Sequence, residues 1–312
     1  MAAMEEVLVL MSTYNGERFL DEQLASVFAQ EGVSVSVLVR DDGSTDGTCR
    51  ILESWKQAHR LDYMRGDNVG PARSFFLLLQ QAPSSRYYAF ADQDDVWYAQ
   101  KLRRAVDGIA HQQTSAADGI ARHQTPCLYF ANVDLTDAQG GFKQRSLPDT
   151  LHLTKQNALI ESFASGCTMV FNDALRQTVC RHIPDENVYH DRWLYLTAMF
   201  IGTVVYDGTP VMGYRQHGGN QVGTQTAQEK GGLLRRLLKP GDFPMADTAA
   251  LFYRYYQHEL TATDRHIVQV CMRYKSSLPS KLILVFHPTY RLAADGWARS
   301  IYWKLRILLN RL

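Results

Sequence analysis

In the first half of the chain, apolar residues come in short continuous runs with polar clusters between them. Val7-Leu8-Val9-Leu10-Met11, Val35 to Arg40, Tyr87 to Ala91 and Cys127 to Val133 read as strands buried on both faces. Amphipathic stretches separate them, at about Arg18 to Gln30, Asp46 to His59, Pro71 to Gln81 and Gln100 to His111. The third opens on Gly70-Pro71, a proline where a helix tolerates one best. This alternation predicts an α/β domain with a mixed, mostly parallel sheet flanked by helices. In such sheets ligands bind outside the carboxyl ends of the strands. Three of those ends carry polar clusters: Ser12-Thr13-Tyr14-Asn15-Gly16, Asp41-Asp42-Gly43-Ser44 and Asp92-Gln93-Asp94-Asp95.

Beyond Val133 the pattern is mixed. Gly140-Gly141 marks a hairpin-like turn and Ser165 to Phe171 a further strand. A helix is expected over about Asp191 to Ile201, then strands at Thr203 to Tyr206 and Val211 to Tyr214. The Gly-, Gln- and Thr-containing segment Gly218 to Gln228 is the best boundary, dividing residues 1–224 from a helical C-terminal region over 225–312.

Charge narrows the partners. With 33 Lys+Arg against 32 Asp+Glu no whole-molecule field recruits nucleic acid, so any polyanion is met locally. The five cysteines are scattered, with no Cys-x-x-Cys pair, which fits neither a disulfide framework nor a zinc site. A reducing, cytoplasmic home is expected. No apolar run approaches the roughly 20 residues that span a bilayer.

Three carboxylates in four residues at Asp92 to Asp95 repel one another unless a cation or a helix dipole compensates. Oxygen ligands of this kind suit Mn2+ or Mg2+, which leave positions free for substrate phosphates; the competing reading is an acidic turn capping the next helix. Asp42 can accept hydrogen bonds from a base or a ribose, or belong to a tight Asp-Gly turn. Tyr14 can stack on a base, while Asn15 and Glu17 can simply start a helix. Arg73, early in its helix after Asn68-Val69-Gly70, is placed to pair with phosphate, although a lone surface arginine is ordinarily just solvated.

Taken in order, Met11-Ser12-Thr13-Tyr14-Asn15-Gly16, Arg40 to Thr48, Asn68-Val69-Gly70 and Phe90 to Trp97 with Lys101-Leu102 resemble family 2 glycosyltransferases of the GT-A fold. His190-Asp191-Arg192-Trp193 and Tyr214 to Asn220 look like its rhamnosyltransferase-like branch. The resemblance covers roughly Val7 to Gly223. It implies a nucleoside diphosphate sugar donor, dTDP- or UDP-linked, with Ser12, Tyr14, Asn15, Asp42 and Asn68 on the nucleoside side and Arg73 towards the diphosphate. It also implies Asp92 and Asp94 as the Asp-x-Asp element, with Asp94 the direct ligand of the metal. Inversion at the anomeric carbon follows, with Asp191 as general base where many members carry Glu-Asp and this chain has His190-Asp191. His217, in a Gly-flanked loop, is a candidate to complete the metal shell. Gly166, Cys167, His190 and Trp193 are candidates for the acceptor wall, Trp193 as plain core being the competing account. The acceptor is expected to be a hydroxyl of a glycan or of a lipid-linked sugar in polysaccharide or cell-envelope synthesis.

From Gly296 to Leu312 no residue is acidic, and Trp297, Ile301, Leu305 and Leu308 share one helical face edged by Lys304 and Arg311, with Arg299 and Arg306 opposite. Such a helix lies on an anionic membrane surface, or covers its own domain or a second subunit; Gly232 to Lys239 raises the same question. Rival enzyme classes fit less well. A pyrophosphorylase needs a Gly-rich, Arg-containing loop after the first strand, a phosphohydrolase a Thr where Val96 stands, and a dinucleotide oxidoreductase Gly-x-Gly-x-x-Gly. A catalytically silent nucleotide-sugar-binding subunit is the non-enzyme alternative.

Overall fold

A computed structural model describes residues 4–115, 125–186, 188–217, 237, 245–288, 290, 292–294 and 296–312. Two units form. The first takes Met1–Asp149, Ala164–Ala198 and Gly202–Asn220, the second Thr150–Phe163, Met199–Ile201 and Gln221–Leu312. The expected boundary at 224/225, like Gly218 to Gln228 and most of Gly232 to Lys239, lies outside the described residues. The second unit also recruits two segments from before that boundary.

The first unit is built on strands β1 (Glu6–Thr13), β2 (Ser34–Asp41), β3 (Leu61–Arg65), β4 (Tyr87–Ala91), β5 (Val96–Trp97), β6 (Cys127–Thr136), β7 (Phe142–Arg145), β8 (Val170–Asn172) and β9 (Thr203–Arg215). They line up as β3-β2-β1-β4-β8-β6-β9-β5, with β7 paired to β6. β1, β2, β3 and β4 are mutually parallel and β6 runs parallel to β9, while β8 is antiparallel to both β4 and β6. Leu10 sits opposite Leu38 on one side and Phe90 on the other. Every residue of β4 is buried, as a strand covered on both faces requires.

Helices α1 (Leu20–Phe28) and α2 (Thr48–Ala58) follow the expected stretches with trimmed ends, α3 (Pro71–Gln81) matches its bounds, and α4 (Lys101–Ser115) runs four residues beyond His111. Leu24, Leu52, Leu102 and Ile109 pack with Val9, Val39 and Tyr129 into one core. Three expectations change in detail. Thr203 to Tyr214 is one strand; Ser165 to Phe171 is a 3-10 turn over Gly166–Thr168 followed by β8; and β3 was not anticipated. The Gly140-Gly141 turn does join antiparallel β6 and β7, with Gly140 at φ 88°. After β8 come α6 (Asp173–Arg181) and α7 (His190–Ile201).

The second unit is helical among the described residues: α5 (Lys155–Ile160), α8 (Met245–Tyr256), α9 (Ala262–Arg273), α10 (Leu278–Phe286) and α11 (Trp297–Leu308). Thr154 and Asn157 form a capping box on α5, satisfying two otherwise orphaned amides. Lys155 Nζ pairs with Asp264 at 2.7 Å, joining α5 to α9. Tyr274 Oη accepts from the Leu312 amide at 3.1 Å and donates to its carbonyl, which anchors the chain end. No described helix is long and apolar enough to cross a membrane.

Candidate active site

The loops after β1 and β2 are sewn together. Thr13 Oγ1 donates to Asp41 Oδ1 (3.1 Å), the Ser44 amide donates to Asp41 Oδ2 (3.0 Å), and the Asn15 amide donates to Ser44 Oγ (2.9 Å). Asn15 adopts φ 49°, and its Oδ1 accepts from the Thr45 amide at 2.9 Å. It thus shapes the loop, a left-handed residue that asparagine tolerates better than most. Asp42 is 2% exposed. Its carboxylate is ion-paired with Arg40 and accepts the amides of Val69 (3.1 Å) and Gly70 (2.9 Å). It therefore holds the segment between β3 and α3, and its lone pairs are largely used. Ser12 Oγ donates to Ser74 Oγ at 2.7 Å, and Asn68 Oδ1 accepts from the Gly70 amide at 3.2 Å. Two candidates stay open: the Tyr14 ring is 45% exposed, and Arg73 is exposed at the first turn of α3. Gln93 grips the Tyr14 backbone through both amide atoms, at 2.8 and 3.0 Å, which couples the nucleoside side to the acidic loop.

In that loop the three carboxylates face different neighbours. Asp94 Oδ2 lies 2.7 Å from His217 Nε2, and the His217 ring packs 4.8 Å from Phe19. Asp95 is 1% exposed; Oδ1 accepts the Arg215 amide at 3.2 Å, and Oδ2 has no hydrogen-bond partner. Asp92 is only partly buried by area, yet close enough to Asp94, Asp191 and Lys101 to feel each. Burial first, then repulsion from Asp94 and Asp191, pushes it up to about 7. Asp95 is raised as well, first by burial, then by Asp92 and Asp94.

Lys101 is the residue that sequence reasoning used only as a motif letter. Its side chain is 0% exposed; Nζ donates to the Cys167 carbonyl and sits 3.5 Å from the centre of the Trp97 ring. Burial lowers its pKa, and attraction to Asp95 and Asp92 opposes that fall. The cation demanded by the carboxylate cluster is thus supplied in part by the chain itself. Arg215 does related work at the end of β9, donating from Nε to the Asp94 carbonyl (3.1 Å) and from Nη2 to Glu22 (2.6 Å).

Ligand-capable atoms of Asp92, Asp95 and Cys167 lie within 4.8 Å of one another. Burial pushes the Cys167 thiol up, against the thiolate form that binds metal. Asp94 and His217, paired at 2.7 Å, offer an oxygen and a nitrogen donor of the kinds divalent ions take, while Asp95 is buried near enough to Lys101 to feel its charge.

Asp191 opens α7. Its Oδ1 accepts its neighbour's amide (Arg192, 2.6 Å), and Oδ2 accepts the Gly166 amide at 3.3 Å, tying the 3-10 turn to the helix mouth. A Cβ on Gly166 would meet His190 Nε2 at 2.9 Å. Three of the expected acceptor residues are buried. Trp193 is fully buried, its Nε1–H donating to the His182 carbonyl at 2.8 Å, so it is core. The Cys167 side chain is also buried. His190 is stacked 4.0 Å from Phe75 and edge-on to Phe90 at 5.0 Å, and burial pulls it down to about 4. A neutral imidazole packed between two phenyl rings is not an open wall. Of the four candidates, Gly166 alone stands against Asp191.

Residues 8–178 match the family described as Glycosyl transferase family 2. The chain belongs to glycosyl transferase family 2. The dTDP-rhamnosyl transferase RfbG of Shigella flexneri is 30% identical over 223 residues, 68% of this chain and 73% of that one. An uncharacterized glycosyltransferase of Rickettsia typhi, RT0329, is 21% identical over 286 residues, 84% and 86% of the two chains. Among solved structures, S. aureus TarS 1-349 in complex with UDP-GlcNAc superposes with a TM-score of 0.60 at 17% identity, covering 91% of this chain and 77% of that one. The mixed, mostly parallel sheet of this family 2 glycosyltransferase is accordingly the GT-A fold.

Proposed function

We propose that the protein is an inverting glycosyltransferase that moves a sugar, rhamnose by preference, from a dTDP- or UDP-linked donor to a hydroxyl of a glycan or lipid-linked acceptor. The observation that carries this reading is the acidic loop after β4, where Asp94 pairs with His217 at 2.7 Å and Asp92 lies close enough to Asp191 to feel its charge. A cation-binding pair, Asp94 with His217, and a candidate base thus share one end of the sheet. The likeness to a dTDP-rhamnosyl transferase supports rhamnose.

The nucleoside would lie on the exposed Tyr14 ring, in a loop shaped by Asn15, Ser12 and Asp42, with Asn68 at its edge and Arg73 reaching the diphosphate. Asp92, Asp94 and His217 would hold Mn2+ or Mg2+. When bound, such an ion neutralises the charge that develops on the leaving diphosphate. Asp191 would take the proton of the acceptor hydroxyl as its oxygen bonds to the anomeric carbon from the face opposite the diphosphate. The bond from that carbon to the phosphate oxygen breaks in the same event, and the diphosphate leaves unprotonated. The transition state has oxocarbenium character, so a single carboxylate base suffices. Five free cysteines fit a reducing, cytoplasmic setting.

The test is a binding panel of thymidine-, uridine- and guanosine-diphosphate sugars, titrated by calorimetry with and without Mn2+ or Mg2+. One donor should bind only with the ion, and Asp94→Asn should abolish that dependence. No ion-dependent binding across the panel would sink the assignment. Binding without turnover on any glycan acceptor would instead indicate a silent subunit.

A further inference from the structure

The second unit presents two apolar ridges to solvent. On α10 Leu278, Leu282 and Phe286 are 67%, 44% and 71% exposed. On α11 Trp297, Ile301, Leu305 and Leu308 are 79%, 48%, 41% and 46% exposed. Spacings of three and four place each set on one helix face. The opposite side of α11 is the one turned inward, with Ile307 and Arg306 buried. Arg299 is ion-paired with Glu161, and Arg306 donates to the Arg311 carbonyl at 2.6 Å. The amphipathic tail therefore does not cover its own unit with its apolar face; that face is what it displays.

Charge decides the occupant. From Lys275 to Leu312 there are seven Lys and Arg against one acidic residue, Asp295. Lys304 borders the α11 stripe at 100° per residue, Arg311 follows just past the end of the helix, and Lys281 lies one residue from Leu282. None of these three has a carboxylate partner among the described residues. A second copy seated by two-fold symmetry would bring this cationic surface against itself. An anionic bilayer complements it: apolar side chains enter the headgroup boundary, Trp297 sits at the interface, and lysines reach the phosphates.

We infer that α10 and α11 dock the protein onto an anionic lipid surface. The inference is independent of the donor site. Full-length protein is sedimented with vesicles of phosphatidylcholine alone or with about a third phosphatidylglycerol, at low and high salt, and its oligomeric state is measured by light scattering. Point variants are preferable to truncation, because the chain end is built into the unit through Tyr274. Partitioning to the anionic vesicles should exceed that to the neutral ones and fall with salt. Phe286→Ser with Trp297→Ser, and separately Lys281→Glu with Lys304→Glu, should each weaken it about tenfold or more. Donor binding and circular dichroism should be unchanged in both, since all four side chains belong to the second unit and none to the proposed donor site. Absence of binding to anionic vesicles at low salt, equal binding to neutral ones, or a wild-type dimer that the serine variant converts to monomer would overturn it.

Discussion

Replacing Lys101 by methionine tests the division of labour among the carboxylates. Methionine keeps the volume of the stem but removes the ammonium, the bond to the Cys167 carbonyl and the contact with Trp97. Asp95, 1% exposed and with Oδ2 unpartnered, is then stranded and takes up a proton in the folded state. Removing the nearby opposite charge of a buried carboxylate costs roughly 3–5 kcal/mol. Melting should fall by about 8–16 °C for a unit of this size. The sign of the pH dependence follows from Asp95, whose folded value is raised above its unfolded one. Folding of the variant binds a proton, so its stability is kept near pH 4 and lost as pH rises. Relative to wild type, part of the loss should return between pH 7 and pH 5. Adding Asp95→Asn should recover much of the loss at pH 7, because both charges are then gone. Urea unfolding of the three proteins at pH 5, 6 and 7 measures all of this. A single-variant loss below about 1 kcal/mol, or a loss independent of pH, would show that wild type already keeps the pair neutral and would refute the argument.

Two further outcomes follow from the site. Asp191→Asn should lower turnover about 10²–10⁴-fold while leaving ion-dependent donor binding within a few-fold of wild type; equal loss of both, read by calorimetry beside a transfer assay, would give Asp191 a structural role. Arg215→Lys cannot reproduce the set of bonds to the Asp94 carbonyl, Ala138 and Glu22. It should weaken ion binding, raising the Mn2+ concentration for half-maximal activity about tenfold with little change in donor binding at saturating ion.

The half of the sheet that makes the donor side was readable because its strands are continuous apolar runs ending in polar clusters. β1, β2, β4 and β6 were visible in Val7 to Met11, Val35 to Arg40, Tyr87 to Ala91 and Cys127 to Val133. β3 was not, since Leu-Asp-Tyr-Met-Arg has no run and forms as an edge strand held by β2 alone. β5 is two residues long and exists because β9 pairs with it, a contact no local pattern announces. The residue types at the ion site were legible, and their partners were not. Nothing near Lys101 in sequence says that it ends beneath Cys167 and Met212. His190 illustrates the reverse failure: proximity to Asp191 suggested chemistry, whereas helix geometry turned its ring between Phe75 and Phe90.

β9 explains how one short loop can serve both stability and chemistry. β4 delivers Asp92 to the sheet edge, and four residues on, β5 pairs antiparallel with the end of β9, Val96 opposite Gly213. Beyond that pairing the same strand supplies the Arg215 amide to Asp95 and the Arg215 guanidinium to the Asp94 carbonyl, and then His217 to the Asp94 carboxylate. Repulsion among the three carboxylates cannot be relieved by splaying the loop, because its backbone is held at both ends. It is relieved by sorting: Asp95 is buried within reach of the Lys101 charge, Asp94 pairs with His217, and Asp92 feels both Asp94 and Lys101 with its carboxyl pushed up to about 7. A carboxyl so poised releases its proton readily when positive charge arrives beside it. Uptake of a divalent ion by the proposed site should therefore expel protons near neutral pH, which links the buried Lys101 pair to the chemistry at the surface of the same loop.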